Sequence, residues 1–322
     1  MKIASSRALR SAAAAIAATL LLASCAASSA ADDAAAETLT VDTEYGEVTI
    51  PAEPKAALGF YTTDVDMLIT LGIPLAKEQP IRDDFDRFPT FFPQEELEGI
   101  GTFHNYPEFN LEKILDVGPD FILNGLGYET DLHDQLTPIA PTYTYNGFDG
   151  SDWRVKFAQV AKDLGRDTQH QAWVDAYDAR VAEIRAELDA RGLDPVVADV
   201  SYWDDQVQVG CYSISCLVFA DLGLSISTVA DSDGDGEPDS EGRALSHEQL
   251  GELADVDVIF TGVAEDGSGL ITDEAALKSN ALWTSLPVVA NGQVFPYNYE
   301  MSYGSPSGQT ALLEVIAKAL LG

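Results

Sequence analysis

Residues 39–51 (LTVDTEYGEVTIP) alternate β-branched and polar side chains about Glu44-Tyr45-Gly46, a pattern that predicts a β-hairpin. A short apolar run at 56–60, then helical spacing from Asp64 to Leu71 closed by Gly72, predicts a strand followed by a helix. Residues 74–109 are rich in Pro, Phe and Asp with little periodicity, and are expected to form a long loop. Asn110 then caps a predicted helix over 111–117, and Pro119-Asp120 leads into the apolar strand Phe121-Ile122-Leu123. The span from Trp153 to Leu188 is the most helical, broken at Leu164-Gly165; within it Trp173, Tyr177, Val181, Ile184 and Leu188 recur at steps of four, four, three and four. That stripe is read as a packing face.

After Gly192 and Pro195 the strand and helix rhythm restarts: 196–202, 217–222, a hydrophilic insertion, a helix from Ser246, a strand at 256–261, an element at 288–295 and a final helix near 309–321. The expected fold class is α/β, with two α/β lobes bridged by one long helix. The expected division is an N-terminal lobe at 38–152, a helical segment with the bridging helix at 153–193, and a C-terminal lobe at 194–322. An internal echo supports related lobes: Asn110-Leu111-Glu112 and Ser246-His247-Glu248 each put a capping residue two places before a Glu, ahead of an acidic turn and an apolar strand.

The first residues stand apart. Lys2, Arg7 and Arg10 precede an Ala/Leu-rich stretch at 11–22 and then small residues, the layout of a secretory signal. Leu22-Ala23-Ser24-Cys25 resembles a bacterial lipobox, so 1–24 is expected to be removed and Cys25 lipidated, with 25–37 as a flexible tether. The expectation is export and a lipid anchor at the cell membrane, on the extracellular face or in a periplasm. No later run reaches the roughly 18 apolar residues that a spanning helix needs.

Composition narrows the partners. With 46% hydrophobic and 22% charged residues over 322 positions, the chain can bury real cores and is not disordered as a whole. Its 53 acidic against 18 basic residues give a net charge of -35, which falls to -38 once the basic leader is gone. Nucleic acid and anionic lipid surfaces would be repelled. Besides Cys25 there are Cys211 and Cys216; in an oxidising compartment they are read as a local disulfide, the alternative being two thiols on a buried element.

Several segments taken together carry a family resemblance. They are Ile50-Pro51 with Pro54, Asp66-Met67-Leu68-Ile69-Thr70-Leu71-Gly72-Ile73-Pro74, and Asn110-Leu111-Glu112-Lys113-Ile114 with Gly118-Pro119-Asp120. Leu136-Thr137-Pro138-Ile139-Ala140-Pro141-Thr142, Leu245-Ser246-His247-Glu248-Gln249-Leu250 and Leu282-Trp283-Thr284-Ser285-Leu286-Pro287 with Asn291-Gly292-Gln293-Val294-Phe295 complete the set. In order and spacing the chain resembles the siderophore and cobalamin class of substrate-binding proteins that feed ABC importers, and Ile139-Ala140-Pro141-Thr142 points to the iron-siderophore branch. The resemblance implies a monomeric, non-enzymatic receptor with a cleft between its lobes, a stiff hinge, and one Glu per lobe that pairs with the permease. The matching positions are Glu112 and Glu248.

In a two-lobe α/β binder the cleft is lined by loops at the carboxyl ends of strands. The expected ligand contacts are Tyr61, Thr62, His104, Tyr106, Tyr128, Trp203, Tyr299 and Tyr303, with the loops at Tyr202 and at Gly262-Val263 alongside. Aromatic rings and phenol donors suit a ferric chelate with an apolar exterior and carbonyl or hydroxamate oxygens. Triply anionic catecholates would want a cluster of Arg or Lys, whereas the mouth offers Arg82 and Arg87, each beside Asp. A ferric hydroxamate is therefore the preferred ligand; haem, cobalamin or a metal ion are the alternatives within the same transporter class. The four His residues, His104, His133, His170 and His247, show no metal spacing.

One motif is independent of the resemblance. Asp231, Asp233, Asp235 and Asp239 stand at loop positions one, three, five and nine with Gly234 and Gly236 between, and Glu237 at seven, a spacing that can wrap a hard cation in oxygen. Gly242 occupies the position of the usual bidentate Glu, and Pro238 also departs from an EF-hand. A weak structural Ca²⁺ site is preferred over a solvated acidic loop, and a calcium-dependent surface binding protein is the corresponding rival function. No catalytic cofactor is expected, since Gly-x-Ser-x-Gly elbows, phosphate loops and metalloprotease helices are missing from the sequence.

Overall fold

The computed structural model describes residues 37–203, 206–210, 214–231, 234, 242–264 and 274–322. An antiparallel hairpin, β1 (Thr38–Thr43) and β2 (Gly46–Pro51), opens the chain with Val41 and Ile50 turned into the core. The N-terminal lobe then runs β3 (Ala57–Gly59), α1 (Thr62–Thr70), β4 (Glu78–Arg82), β5 (Gly101–Tyr106), α2 (Leu111–Val117), β6 (Phe121–Asn124), α3 (Leu132–Leu136) and β7 (Thr142–Thr144). Strands β3, β6 and β7 form one parallel sheet and β4 and β5 a parallel pair. All residues of β3, β6 and β7 are buried, as expected for parallel strands covered on both faces.

Residues 74–109 correct the expected long loop: they contain β4 and β5. The side chain of Gln79, fully buried, joins them to the rest of the lobe by accepting from Gly59 N at 2.9 Å and donating to the Ala57 carbonyl at 2.8 Å. Side-chain amide bonding thus takes the place of a regular ladder between β3 and β4.

Helices α4 (Trp153–Asp163) and α5 (Asp167–Arg191) follow, separated at Leu164-Gly165 as the sequence predicts. On α5 the side chains of Tyr177, Val181, Ile184 and Leu188 are buried, each contributing about 1.5 to 3 kcal/mol. The C-terminal lobe contains β8 (Val196–Trp203), β9 (Gln206–Val209), α6 (Ser215–Leu222), β10 (Ser225–Ile226), β11 (Arg243–Leu245), β12 (Val258–Val263), α7 (Glu274–Ser279), α8 (Ala281–Ser285), α9 (Pro287–Ala290), β13 (Val294–Asn298) and α10 (Pro306–Leu321). Its sheet runs β11-β9-β8-β12-β13, with β10 also paired to β8; β8, β10, β12 and β13 are parallel. The helix expected at Ser246 is a turn followed by a 3-10 segment at Leu250–Leu253, because only Leu250 and Leu253 find apolar cover and no longer periodic face exists to extend it.

Helices α1, α4, α5, α6 and α10 share one apolar cluster that includes Leu68, Phe157, Ile184, Phe219, Leu312 and Ile316. Polar ties reinforce it: Trp153 Nε1 donates to Gln309 Oε1 at 2.8 Å, Ser307 N to Asp66 Oδ2 at 2.7 Å, and Arg154 pairs with Asp221 at 3.0 Å. A continuous seam therefore joins both lobes along the bridging helix. None of the helices among the described residues is long and apolar enough to cross a membrane. Cys216 is disulfide-bonded; Cys211, its expected partner, lies outside the described residues, as does Cys25.

Gly59 marks where β3 meets α1. A Cβ there would lie 2.4 Å from Val65 N and 2.8 Å from the Asp64 carbonyl carbon, both backbone atoms. Gly59→Ala is expected to lower stability by about 1 to 3 kcal/mol or more, read as a lower urea midpoint with an unchanged slope.

Candidate functional site

The carboxyl ends of the N-terminal strands converge on Arg82, the last residue of β4. Its Nη1 donates to Tyr61 OH at 3.0 Å and Tyr303 OH at 3.3 Å, and lies 3.5 Å from Glu300 Oε1. Its Nε donates to Asp84 Oδ1 at 3.0 Å. Three rings surround the guanidinium, with Cζ at 5.3 Å from the Tyr299 centroid, 5.5 Å from Tyr106 and 5.7 Å from Tyr303. Each such contact stabilises the cation by about 0.5 to 2 kcal/mol.

Each wall has a local cause. Tyr61 is the N-cap residue of α1, fixed because its backbone N–H donates to Asp64 Oδ2 at 3.0 Å. Asp64 is fully buried and also accepts from Gly125 N and Tyr145 OH; burial outweighs those bonds and lifts its pKa to about 7. Tyr106 ends β5, and Tyr299–Tyr303 form a 3-10 turn after β13 whose cap is Asn298, accepting from Glu300 N at 3.0 Å. Gly304 closes that turn at φ 83, and a Cβ there would meet Trp153 Cγ at 2.7 Å. The C-terminal lobe thus presents Tyr299, Glu300 and Tyr303 to the N-terminal lobe's Tyr61, Arg82 and Tyr106.

Glu300 is the deepest group, with its side chain 2% exposed, held by Thr62 Oγ1 at 3.0 Å as well as by Arg82. Tyr299 OH donates to Asp84 Oδ2 at 2.7 Å. Burial opposes the charge on Arg82, but Tyr61, Glu300 and Asp84 outweigh it and raise its pKa. Burial and then Glu300 push the Tyr61 phenol well above its ordinary value. Burial also raises Tyr128, to about 12, with Tyr106 adding to it. Phe148, after β7, stacks edgewise on Tyr61, Tyr128 and Tyr303 and forms a half-open rim with Tyr128. Tyr61 and Tyr303 accept from Arg82 and so keep their own O–H hydrogens for a further acceptor.

Of the expected ligand contacts, Tyr61, Thr62, Tyr106, Tyr128, Tyr299 and Tyr303 come together here. His104 does not join them: it is exposed, with Nε2 2.9 Å from the Phe85 carbonyl oxygen. Trp203 ends β8, and its side chain lies outside the described residues. Arg82 was visible in sequence as a cation at the mouth; Asp84, Phe148 and Glu300 were not assigned to the site. The loops at Tyr202 and Gly262-Val263 line a separate cavity of about 230 Å³ against β8 and β12, with Leu277 and Trp283 opposite.

Glu112 is exposed in the first turn of α2, beneath the Asn110 cap, whose Oδ1 accepts from Lys113 N at 3.1 Å. Glu248 is exposed in the turn before the 3-10 segment, and its own backbone N–H and the Ser246 side chain hold its carboxyl below the usual range. Asp231 accepts from Gly234 N at 2.5 Å, while Asp233, Asp235, Glu237 and Asp239 lie outside the described residues. Among the described residues no group of three His, Cys, Asp or Glu is placed to hold a metal ion.

Two α/β lobes on a continuous apolar helical seam, with a ring-lined cleft contributed by both, have the build of a two-lobe solute-binding protein. Residues 71–299 match the family described as periplasmic binding protein, and the chain belongs to that family. It is similar to the putative ABC transporter substrate-binding lipoprotein YhfQ of Bacillus subtilis, at 23% identity over 88% of each chain. It is also similar to the iron(3+)-hydroxamate-binding protein FhuD of Bacillus subtilis, at 25% identity over 88% of this chain and 87% of that one. Among solved structures, Staphylococcus aureus SirA complexed with staphyloferrin B superposes with a TM-score of 0.69 at 20% identity, covering 88% of this chain and 98% of that one.

Arg82→Ala would leave Glu300 buried beside an empty space. It is expected to cost about 2 to 4 kcal/mol in urea unfolding, and Arg82→Ala combined with Glu300→Gln to recover more than half of that loss.

Proposed function

We propose that this chain is an extracytoplasmic receptor that captures a ferric siderophore, of hydroxamate type, between its lobes and delivers it to an ABC permease. The observation that carries the reading is the cage of tyrosines around Arg82, built by both lobes at the carboxyl ends of strands. Flat rings cover the apolar exterior of a chelate, and the Tyr61 and Tyr303 hydroxyls offer donors to its carbonyl or hydroxamate oxygens. Relatives named as a hydroxamate-binding protein and a transporter lipoprotein support the same class.

The lipobox-like Leu22-Ala23-Ser24-Cys25 supports anchoring through a lipid on Cys25, and the proposed division is an N-terminal lobe at 38–152, a helical segment with the bridging helix at 153–193 and a C-terminal lobe at 194–322. Glu112 and Glu248 are the carboxylates proposed to meet basic residues of the permease. Both are exposed and neither belongs to the Arg82 cluster, so docking and ligand capture are separable. The Asp231 to Gly242 loop is retained as a proposed weak Ca²⁺ site on its residue spacing.

Tryptophan-fluorescence titration of protein beginning at Cys25, with ferric hydroxamates, ferric catecholates, haem, cobalamin and free Fe³⁺, each with and without calcium, tests the ligand. Saturable submicromolar quenching by a ferric hydroxamate is expected; saturation by haem or cobalamin alone would replace this reading. Glu112→Ala with Glu248→Ala is expected to abolish iron uptake in cells while leaving the titration unchanged. Normal uptake by that double variant would remove the docking assignment.

A further inference from the structure

We infer that Asp84 and Glu300 set the charge selectivity of the cleft, so that it favours neutral ferric chelates over multiply anionic ones. The inference rests on the reading of the cleft as a siderophore site and adds to it the residues that choose among siderophore classes.

A guanidinium enclosed by phenol rings ordinarily attracts anions, because its five N–H donors match carboxylate or catecholate oxygens. In this cleft four of the five are already engaged. Nε and Nη2 face Asp84 at 3.0 and 3.5 Å, and Nη1 faces Tyr61, Tyr303 and Glu300. An anionic oxygen approaching Nε or Nη1 must displace one of these partners, and the second Nη2 N–H lies beside the Asp84 carboxylate. Among the described residues the fixed charges of the cluster are one cation and two carboxylates, a net negative centre.

The two carboxylates come from opposite sides and differ in screening. Asp84 follows β4 on the N-terminal lobe, is 53% exposed, and is held below the usual carboxylate range by Tyr299 and Arg82 although burial works the other way. Glu300 sits in the turn after β13 on the other lobe, at 2% side-chain exposure, where its charge is little screened by water. Arg87, the other cation that the sequence suggested for the mouth, is 67% exposed and 4.0 Å from Asp86, too solvated to restore a positive field. Among the described residues, what remains for recognition is one Nη2 N–H beside Asp84, the dipoles of the Tyr61 and Tyr303 hydroxyls and the ring faces. These bind oxygens without requiring that they be charged.

The test compares a neutral ferric trihydroxamate with a trianionic ferric tricatecholate on the lipid-free protein, Asp84→Asn, Asp84→Glu and Glu300→Gln, at low and high salt. The parent is expected to prefer the neutral chelate. Asp84→Asn and Glu300→Gln are each expected to tighten catecholate binding about tenfold or more at low salt, and hydroxamate binding by less than about threefold, because only the trianion feels the removed charge strongly. Asp84→Glu should keep the parental preference, which a purely steric role for Asp84 would not, and high salt should shrink the difference between parent and Asp84→Asn. Equal shifts for both chelates, or a parent that already binds the trianion as tightly as the neutral chelate, overturns the inference while leaving the siderophore reading intact. A parent that binds no ferric chelate defeats the reading on which it rests. Circular dichroism checks folding, and should Glu300→Gln unfold, the half-exposed Asp84 still decides the question.

Discussion

The cleft depends on a charge that the fold brings out of water. Arg82 is 19% exposed and lies among three tyrosine rings, an environment that stabilises a cation only if carboxylates accompany it. Glu300 and Asp84 supply that company from the two lobes. In doing so they fix the Tyr299–Tyr303 turn against the end of β4, so the proposed ligand wall and the contact between lobes are one construction. The same pairing that makes Arg82 tolerable also engages most of the donors with which it could attract an anion.

The seam beneath the cleft has a different character. Helices α1, α4, α5, α6 and α10 meet through aliphatic and aromatic side chains that are almost entirely buried, and the contact continues from one lobe to the other without a solvated break. Interiors of this kind are close-packed and resist shear. The carboxylate of Asp66, buried under the first turn of α10, and the Trp153–Gln309 bond fix where α10 returns to the N-terminal lobe. A family built on such a seam is expected to move its lobes little.

Much of this frame was legible in the sequence, and the reasons for the misses are physical. The α5 stripe, the opening hairpin and the final helix carry a periodicity that burial of one face enforces, and β6, β8 and β12 carry apolar runs that burial in a sheet requires. Strand β4 carries none: EQPIR contains a Pro, and its key residue for pairing, Gln79, is a buried polar side chain that resembles a loop residue. Tyr61 and Tyr128 follow strands that the sequence predicts, whereas Tyr106 ends a strand, β5, inside the expected long loop. The organisation of the tyrosines around Arg82 was not legible, since Arg82 and Tyr303 are 221 positions apart and nothing local marks Glu300 as buried. An acidic residue between Tyr299 and Met301 reads as exposed until the opposite lobe is in place.

Comparing the two sets of contacts identifies where the molecule can yield. Across the cleft the lobes are tied by Thr62 to Glu300, Arg82 to Glu300 and Tyr303, and Tyr299 to Asp84. Each such bond contributes about 1 kcal/mol net, somewhat more where a charge is involved, because water or a ligand can replace the partner. Along the seam no such replacement exists, and each buried apolar side chain contributes about 1.5 to 3 kcal/mol that is lost if the helices separate. The soft coordinate is therefore the mouth and the stiff one the spine. A ligand whose oxygens take over hydrogen bonds from the tyrosines exchanges like for like at the mouth, and leaves the spine, and with it the relative placement of Glu112 in the first turn of α2 and Glu248 in the turn before the 3-10 segment, essentially as it was.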